Sequence, residues 1–252
     1  MLVPVWKVTA LKMGDLVVDK SSLTYSKDLG KQVTIPIWAA AIENGDCKII
    51  VDTGIHSQEW VNENITICMQ ADDETMIGAL KKGVDWLPED VDIVINTHLH
   101  YDHCGNNHLF KNAQFILQEE EWKNAFHSLP TQKQFYLREL YDCRAVNYFN
   151  WKFVTGEVEV APGVKVFTTP GHTSGHQSVL VNTEEGVLCI SADVANLVEN
   201  INDNVPPNIL NSTEQWFSSL DEIRQKAQLI LPGHEPAIRK YQTSNFPAIT
   251  SF

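Results

Sequence analysis

The chain has 252 residues, 43% of them hydrophobic, and a formal net charge of -13. Nothing in it concentrates positive charge against phosphate repulsion, which argues against nucleic acid as the main partner. No stretch approaches the roughly 18 apolar residues of a membrane span, and Met1-Leu2-Val3-Pro4-Val5-Trp6-Lys7 lacks the pattern of a signal peptide. Cys47, Cys68, Cys104, Cys143 and Cys189 are odd in number and lack CxxC spacing, so they read as reduced thiols of a cytoplasmic protein, with Cys104 as buried filler.

In chain order, residues 1 to 20 alternate weakly and read as an opening strand and its return, and residues 21 to 33 as a loop. Residues 35 to 42 and 47 to 51 form two apolar runs across Glu43-Asn44-Gly45-Asp46, where Asn-Gly is a strong hairpin signal, and the second run ends in Asp52-Thr53-Gly54. Residues 74 to 82 space apolar side chains three and four apart and predict a helix that closes toward Gly83. Val91-Asp92-Ile93-Val94-Ile95 reads as a buried strand. Beyond it a helix start is expected over residues 106 to 111, a strand over 113 to 118, and a helix over 119 to 127. From Pro130 to Trp151 the aromatic side chains recur at helical spacing. That stripe reads as core, with some rings available to line a cleft.

In the second half, Val164-Lys165-Val166-Phe167-Thr168-Thr169 reads as a strand that Pro170-Gly171 breaks just before His172. Leu229-Ile230-Leu231 reads as another, broken by Pro232-Gly233 just before His234. The same grammar appearing twice is a stronger signal than either histidine alone. Between them an apolar strand, residues 187 to 192, ends in Asp193. Gly45 precedes Asp52 by seven residues and Gly186 precedes Asp193 by the same seven, which fits two similar halves facing each other. Residues 213 to 226 carry an N-cap signal and apolar repeats, and predict a packing helix.

The chemistry concentrates in His98-Leu99-His100-Tyr101-Asp102-His103, where the buried strand stops. His98 and His100 lie two apart, so in extended backbone both side chains face the same way and converge. Asp102 and His103 follow in the turn and can aim at a second point, an arrangement that suits two cations better than one. Further ligands must come from other strand ends, and His172, Asp193 and His234 stand at three of them. Asp52, at a fourth, is a candidate acceptor that would hold the outer ring nitrogen of a ligand histidine.

HLHYDH fits the HxHxDH signature of the metallo-β-lactamase fold superfamily, and His172, Asp193 and His234 follow in the order of its later ligands. The resemblance covers residues 30 to 238 or so. Within the superfamily the chain looks most like the N-acyl homoserine lactonase group, through Val51-Asp52-Thr53-Gly54, Gly171-His172-Thr173-Ser174-Gly175-His176-Gln177-Ser178 and Glu199-Asn200. The resemblance implies an α/β fold, a four-layer αββα sandwich, as one domain over residues 1 to 252. It also implies His98, His100 and His172 on one ion, Asp102, His103 and His234 on a second, and Asp193 bridging. Ligation without thiolate suits two zinc ions, with iron, manganese or cobalt also compatible. His176 has no open ligand position and reads as a structural hydrogen-bonding residue.

Such a site implies hydrolysis of an acyl compound, with Asp102 also carrying a proton to the leaving group. In the lactonases a tyrosine follows the bridging aspartate by three residues and supports the substrate carbonyl; here that position is Asn196. The expectation is therefore a lactone hydrolase whose small-molecule substrate is not a typical long-chain acyl homoserine lactone, with Tyr136, Tyr141 or Tyr148 as other sources of a phenol. A homodimer is left open. The alternative is a thioesterase of the glyoxalase II type, which normally adds a basic C-terminal domain, whereas this chain stops about eighteen residues after His234. A flavodiiron redox site typically has glutamate where His100 stands.

Overall fold

The computed structural model describes residues 3 to 142 and 149 to 240. Cys143 and Tyr148 lie outside the described residues. The chain runs β1 (Lys7–Asp19), α1 (Lys20–Leu23), β2 (Gln32–Glu43), β3 (Lys48–Val51), α2 (Gln58–Asn64), β4 (Cys68–Met69), α3 (Met76–Gly83), β5 (Ile93–Ile95), β6 (Gln114–Gln118) and α4 (Glu119–Phe126). It continues through β7 (Asn150–Val154), β8 (Val158–Ala161), β9 (Val164–Thr168), β10 (Gln177–Thr183), β11 (Gly186–Ala192), α5 (Val198–Asn202), α6 (Thr213–Lys226) and β12 (Leu229–Pro232).

Two sheets form. One has seven strands in the order β4-β1-β2-β3-β5-β6-β7 and the other five in the order β12-β11-β10-β9-β8. Strand alternation explains how they pack, since residues two apart share a face. Val8, Ala10, Ala40, Ile42, Ile49 and Val51 from the first sheet meet Val164, Val166, Val179, Val181, Leu188 and Ile190 from the second in one buried layer. The opposite face of the first sheet, including Ile37, Ala39, Ala41 and Ile50, is covered by Val61 of α2 and by Met76, Ala79 and Leu80 of α3. The outer face of the second sheet, with Phe167, Leu180, Cys189 and Ile230, is covered by Trp216, Leu220 and Ile223 of α6. The result is the α/β sandwich of helix, sheet, sheet and helix.

The two halves also correspond in their hairpins. β2 pairs antiparallel with β3, which then lies parallel to β5; β10 pairs antiparallel with β11, which then lies parallel to β12. Asp52 and Asp193 each follow the second strand of their hairpin, and the parallel neighbours deliver their C-terminal ends to the same side. Open α/β sheets bind ligands at such carboxyl ends.

Four local expectations need correction. Residues 7 to 19 form one long strand and not a strand with its return, because Gly14, at φ 120°, lets the chain bulge between Lys12 and Asp15 without reversing. Residues 21 to 33 begin in a short helix, capped by Asp19, whose side chain accepts from the Ser21 N–H. Past the histidine loop only one 3₁₀ turn forms, Asn107–Leu109. The aromatic stripe, in its described residues, is not a helix: it contains 3₁₀ turns at Lys133–Phe135 and Arg138–Leu140, and Trp151 lies in β7. Large rings can fill a cavity from irregular backbone, so their spacing does not require a helix.

α6 is tied to the site-bearing loops. Trp216 is fully buried, its indole N–H donates to the Val194 carbonyl at 2.7 Å, and a Cβ placed on Gly171 (φ 140°) would come within 2.6 Å of the Trp216 Cα. Only glycine allows that approach. Among the described residues no helix is long and apolar enough to cross a membrane, and Cys47, Cys68, Cys104 and Cys189 are all free. Trp216→Ala is expected to lower stability by about 3–5 kcal/mol in equilibrium denaturant unfolding, as for large aromatic deletions in a core; a loss below ~1 kcal/mol would show that α6 is held by its other contacts.

Candidate metal centre

β5 ends at Ile95, and Asn96 and Thr97 carry the chain into the histidine loop. The Thr97 N–H donates to Asp52 Oδ1 at 2.8 Å, and its hydroxyl lies 2.7 Å from Asp52 Oδ2. With that hydroxyl proton given to Asp52, the Thr97 oxygen is left to accept from His98 Nδ1 at 3.1 Å. Asp52 Oδ2 is also 2.7 Å from His103 Nδ1. One buried carboxylate thus orients two of the rings.

Carbonyls orient two more. His172 Nδ1 faces the Ile209 carbonyl and His234 Nδ1 faces the Pro36 carbonyl, both at 2.9 Å. A carbonyl accepts only, so both Nδ1 atoms carry a proton. Burial holds His172 below the ordinary histidine value and leaves its Nε2 a lone pair, whereas burial opposes charge on His234 but Asp193, beside its Nε2, raises it. His100 is turned the other way, with its Nδ1 3.1 Å from His172 Nε2.

The inward atoms fall into three overlapping sets: His98, His100 and His172; His98, His103 and Asp193; and Asp102, His103 and His234. Within each set the ligating atoms lie within 4.8 Å of one another. Asp193 stands between the outer two sets. Its Oδ2 is 3.4 Å from His172 Nε2, while its Oδ1 is 3.3 Å from His103 Nε2 and 3.2 Å from His234 Nε2. Asp102 Oδ2 is 3.8 Å from His103 Nε2 and 4.0 Å from His234 Nε2. Gly233 makes room for this carboxylate, since a Cβ there would lie 2.6 Å from Asp193 Oδ1.

The donor set fits divalent cations. His98 Nε2 is buried with no hydrogen-bond partner, and unpaired buried nitrogens of this kind are costly unless something binds them. Electrostatics point the same way. Burial, reinforced by the neighbouring imidazoles, holds His98 and His100 well below the ordinary histidine value, so both are neutral and able to ligate. Burial alone would raise Asp193, but His103, His234 and His172 hold it well below the ordinary carboxylate range. Burial opposes charge on His103 too, yet Asp193, Asp102 and Asp52 raise it well above its ordinary value, while burial pushes Asp52 up. These directions describe a His103 ring that, without a cation, carries positive charge between Asp193 and Asp102 at Nε2 and Asp52 at Nδ1.

All the residues expected at the site come together here, Asn196 included. Asn196 is buried, lines the cleft, and its backbone carbonyl accepts the His234 N–H at 2.9 Å. Its side-chain Oδ1 has no hydrogen-bond partner. His176 stays outside the three sets, its Nδ1 2.9 Å from the Thr169 hydroxyl. The cleft over the centre holds about 300 Å³ and is walled by Leu16, Val18, Leu23, Ile35, Ile65, Phe135 and Ile209. A larger cavity of about 500 Å³, between the turns at Gly45 and Glu184, gathers none of the candidate ligands.

Sequence reasoning missed Glu121. It lies in the first turn of α4 and is fully buried, accepting from the Leu99 N–H at 3.0 Å, the Tyr136 hydroxyl at 3.0 Å and the Thr173 hydroxyl at 2.6 Å. The available signal was its place four residues before Ala125, on the helix face that is buried. Burial raises its pKa from 4.5 to about 7 against the pull of those hydrogen bonds. A raised carboxyl contributes stability that is fully present below pH 4.5 and lost as pH rises through about 7. Denaturant unfolding of metal-free protein should therefore show the wild type losing about 2–3 kcal/mol relative to Glu121→Gln between pH 5 and pH 8. A difference that stays level over that range would mean that Glu121 ionises normally.

Comparison with known proteins agrees with this geometry. Residues 34–234 match the family model of the metallo-beta-lactamase superfamily. An N-acyl homoserine lactonase of Bacillus cereus is 34% identical over 209 residues, 79% of this chain and 80% of the relative, and one of Bacillus thuringiensis is 32% identical over the same shares. Among solved structures, a quorum-quenching N-acyl homoserine lactone lactonase superposes with a TM-score of 0.80 at 30% identity, covering 96% of both chains. An N-acyl homoserine lactone hydrolase with N-hexanoyl-L-homoserine bound at its catalytic metal centre superposes with a TM-score of 0.82 at 28% identity, covering 99% of this chain and 100% of that one. With a histidine and aspartate cluster at converging strand ends and a family match over most of its length, the chain belongs to the metallo-beta-lactamase superfamily.

Proposed function

We propose that the chain is a metal-dependent hydrolase that opens a lactone ring, using two divalent ions, most simply zinc. His98, His100 and His172 would hold one ion, Asp102, His103 and His234 the other, and Asp193 would bridge them. The observation that carries the reading is the position of Asp193, with one oxygen toward His172 and the other toward His103 and His234. When bound, such a pair supplies Lewis-acid polarisation of a carbonyl oxygen and a hydroxide nucleophile near neutral pH. The likeness to N-acyl homoserine lactonases over four fifths of their length supports a lactone as the ester attacked.

The chain's own residues account for the remainder. The Nδ1 contacts of His98, His103, His172 and His234 fix each ring so that its Nε2 faces inward. The apolar cleft wall takes up a hydrocarbon arm and keeps bulk water from the reacting ester. Asp102 lines the same cleft, which supports reading it as the group that passes a proton to the departing alkoxide.

Asn196 narrows the substrate. A carboxamide donates a hydrogen bond but is shorter than a phenol and has no acidic proton to give, so we infer a substrate other than a long-chain acyl homoserine lactone. Two of the other tyrosines are engaged elsewhere: the Tyr136 hydroxyl with Glu121 and Asn124, and the Tyr141 hydroxyl with the Ala125 carbonyl. Tyr101 lines the cleft, and its hydroxyl bonds to no described residue.

Asp102→Asn should keep much of its metal yet lose most of its turnover, because an amide oxygen can still coordinate but cannot carry the proton; metal content and kcat from one preparation decide this. If both fall together, Asp102 is a ligand and nothing more. In a substrate screen the protein should open lactones faster than it cleaves linear thioesters. Asn196→Tyr should raise its rate on acyl homoserine lactones, where a missing donor costs about 10²- to 10³-fold. A wild type already fast on those substrates would contradict the narrowed reading, and slowing by Tyr101→Phe would then identify the donor.

A further inference from the structure

Glu121 is a carboxyl group with no place in the proposed chemistry, buried completely among residues that flank the centre. Its Oε1 accepts from the backbone N–H of Leu99, the residue between His98 and His100, at 3.0 Å. Its Oε2 accepts from the hydroxyl of Thr173, which follows His172, at 2.6 Å. The Gly175 N–H, two residues further on, also favours the ionised form of this carboxyl. The Tyr136 hydroxyl donates to Oε1 at 3.0 Å, and the Tyr136 ring stands edge-on to His100 with centroids 4.7 Å apart.

These contacts join two loops that are far apart in sequence. His98 and His100 come from the end of β5 and His172 from the end of β9, in different sheets. Helix α4 lies against both loops, so closely that a Cβ on Gly175 would come within 1.9 Å of the Glu121 backbone nitrogen. Buried N–H groups need acceptors, and a carboxylate with two oxygens can serve both loops at once. Among the described residues, the side-chain hydrogen bonds of Glu121 go to Leu99, Tyr136 and Thr173 and not to Asp102, His103 or His234, so the brace acts on one side of the centre.

We propose that Glu121 is a positioning residue that sets the spacing between the His98 and His100 loop and His172, and thereby the affinity of the three-histidine set for its ion. The proposal rests on the two-ion reading above. Residues supporting metal ligands from outside are typically worth 10- to 100-fold in metal affinity. A residue needed only for folding would weaken both ions together, whereas a brace on one side weakens one.

The test is competition between the metal-free protein and a chromophoric chelator for zinc, for the wild type, Glu121→Ala and Thr173→Val, each with and without His234→Ala to remove the second set. In Glu121→Ala the affinity for one ion should fall by about 10- to 100-fold while the other stays within about threefold, and the loss should persist in the His234→Ala background. Thr173→Val, which removes one donor from the brace and leaves the carboxylate in place, should weaken the same ion by a smaller factor. It decides the matter if Glu121→Ala does not fold. Equal weakening of both ions, or unchanged affinities in the variant that folds, overturns the brace. A wild type that binds no zinc, or only one ion, overturns the two-ion reading on which it rests.

Discussion

The structure is organised around a buried negative charge. Asp193 reaches into the seam between two sheets, where desolvation would ordinarily keep a carboxyl protonated, and is held ionised by His103, His234 and His172. Those rings are fixed in turn by acceptors behind them: Asp52 for His103, the Pro36 carbonyl for His234 and the Ile209 carbonyl for His172. Each acceptor belongs to a different part of the chain. The fold must therefore close before the cluster exists, and the cluster in turn holds together the loops of both halves.

The paired hairpins explain how so many ligating atoms converge. β3 and β11 each end beside a parallel partner, and the aspartate after each turns into the site with the backbone near it at positive φ: Asp52 itself at 60° and Ala192, before Asp193, at 42°. Such strain persists only where surrounding contacts over-determine it. The two aspartates then divide the work by depth. Asp193 faces the inward ring nitrogens, and Asp52 stays behind the histidine loop, serving His103 directly and His98 through Thr97.

Much of this was legible in the sequence because the signals were local. An apolar run that ends in Pro-Gly-His marks where a strand stops and a ligand begins, and β9 and β12 stop there; α6 covers the expected residues 213 to 226. What was not legible depended on contacts distant in sequence. Glu121 looks like one of three glutamates in a helix's first turn, and only the packing of α4 against two loops distinguishes it from Glu119 and Glu120, which are exposed. The aromatic stripe failed as a helix for a related reason: Tyr136 is placed by His100 and Glu121, and Trp151 by its pairing in β7 with Phe115. The short helices α2 and α5 escaped because neither has enough turns to establish a period.

The central claim is that two ions sit on either side of Asp193, and anomalous diffraction from crystals grown with zinc, collected on both sides of the zinc absorption edge, tests it most directly. The account predicts two peaks roughly 3.5–4 Å apart, one among His98, His100 and His172 and the other among Asp102, His103 and His234, with the Asp193 carboxylate between them. One peak at full occupancy, or peaks that leave Asp193 uncoordinated, would contradict it.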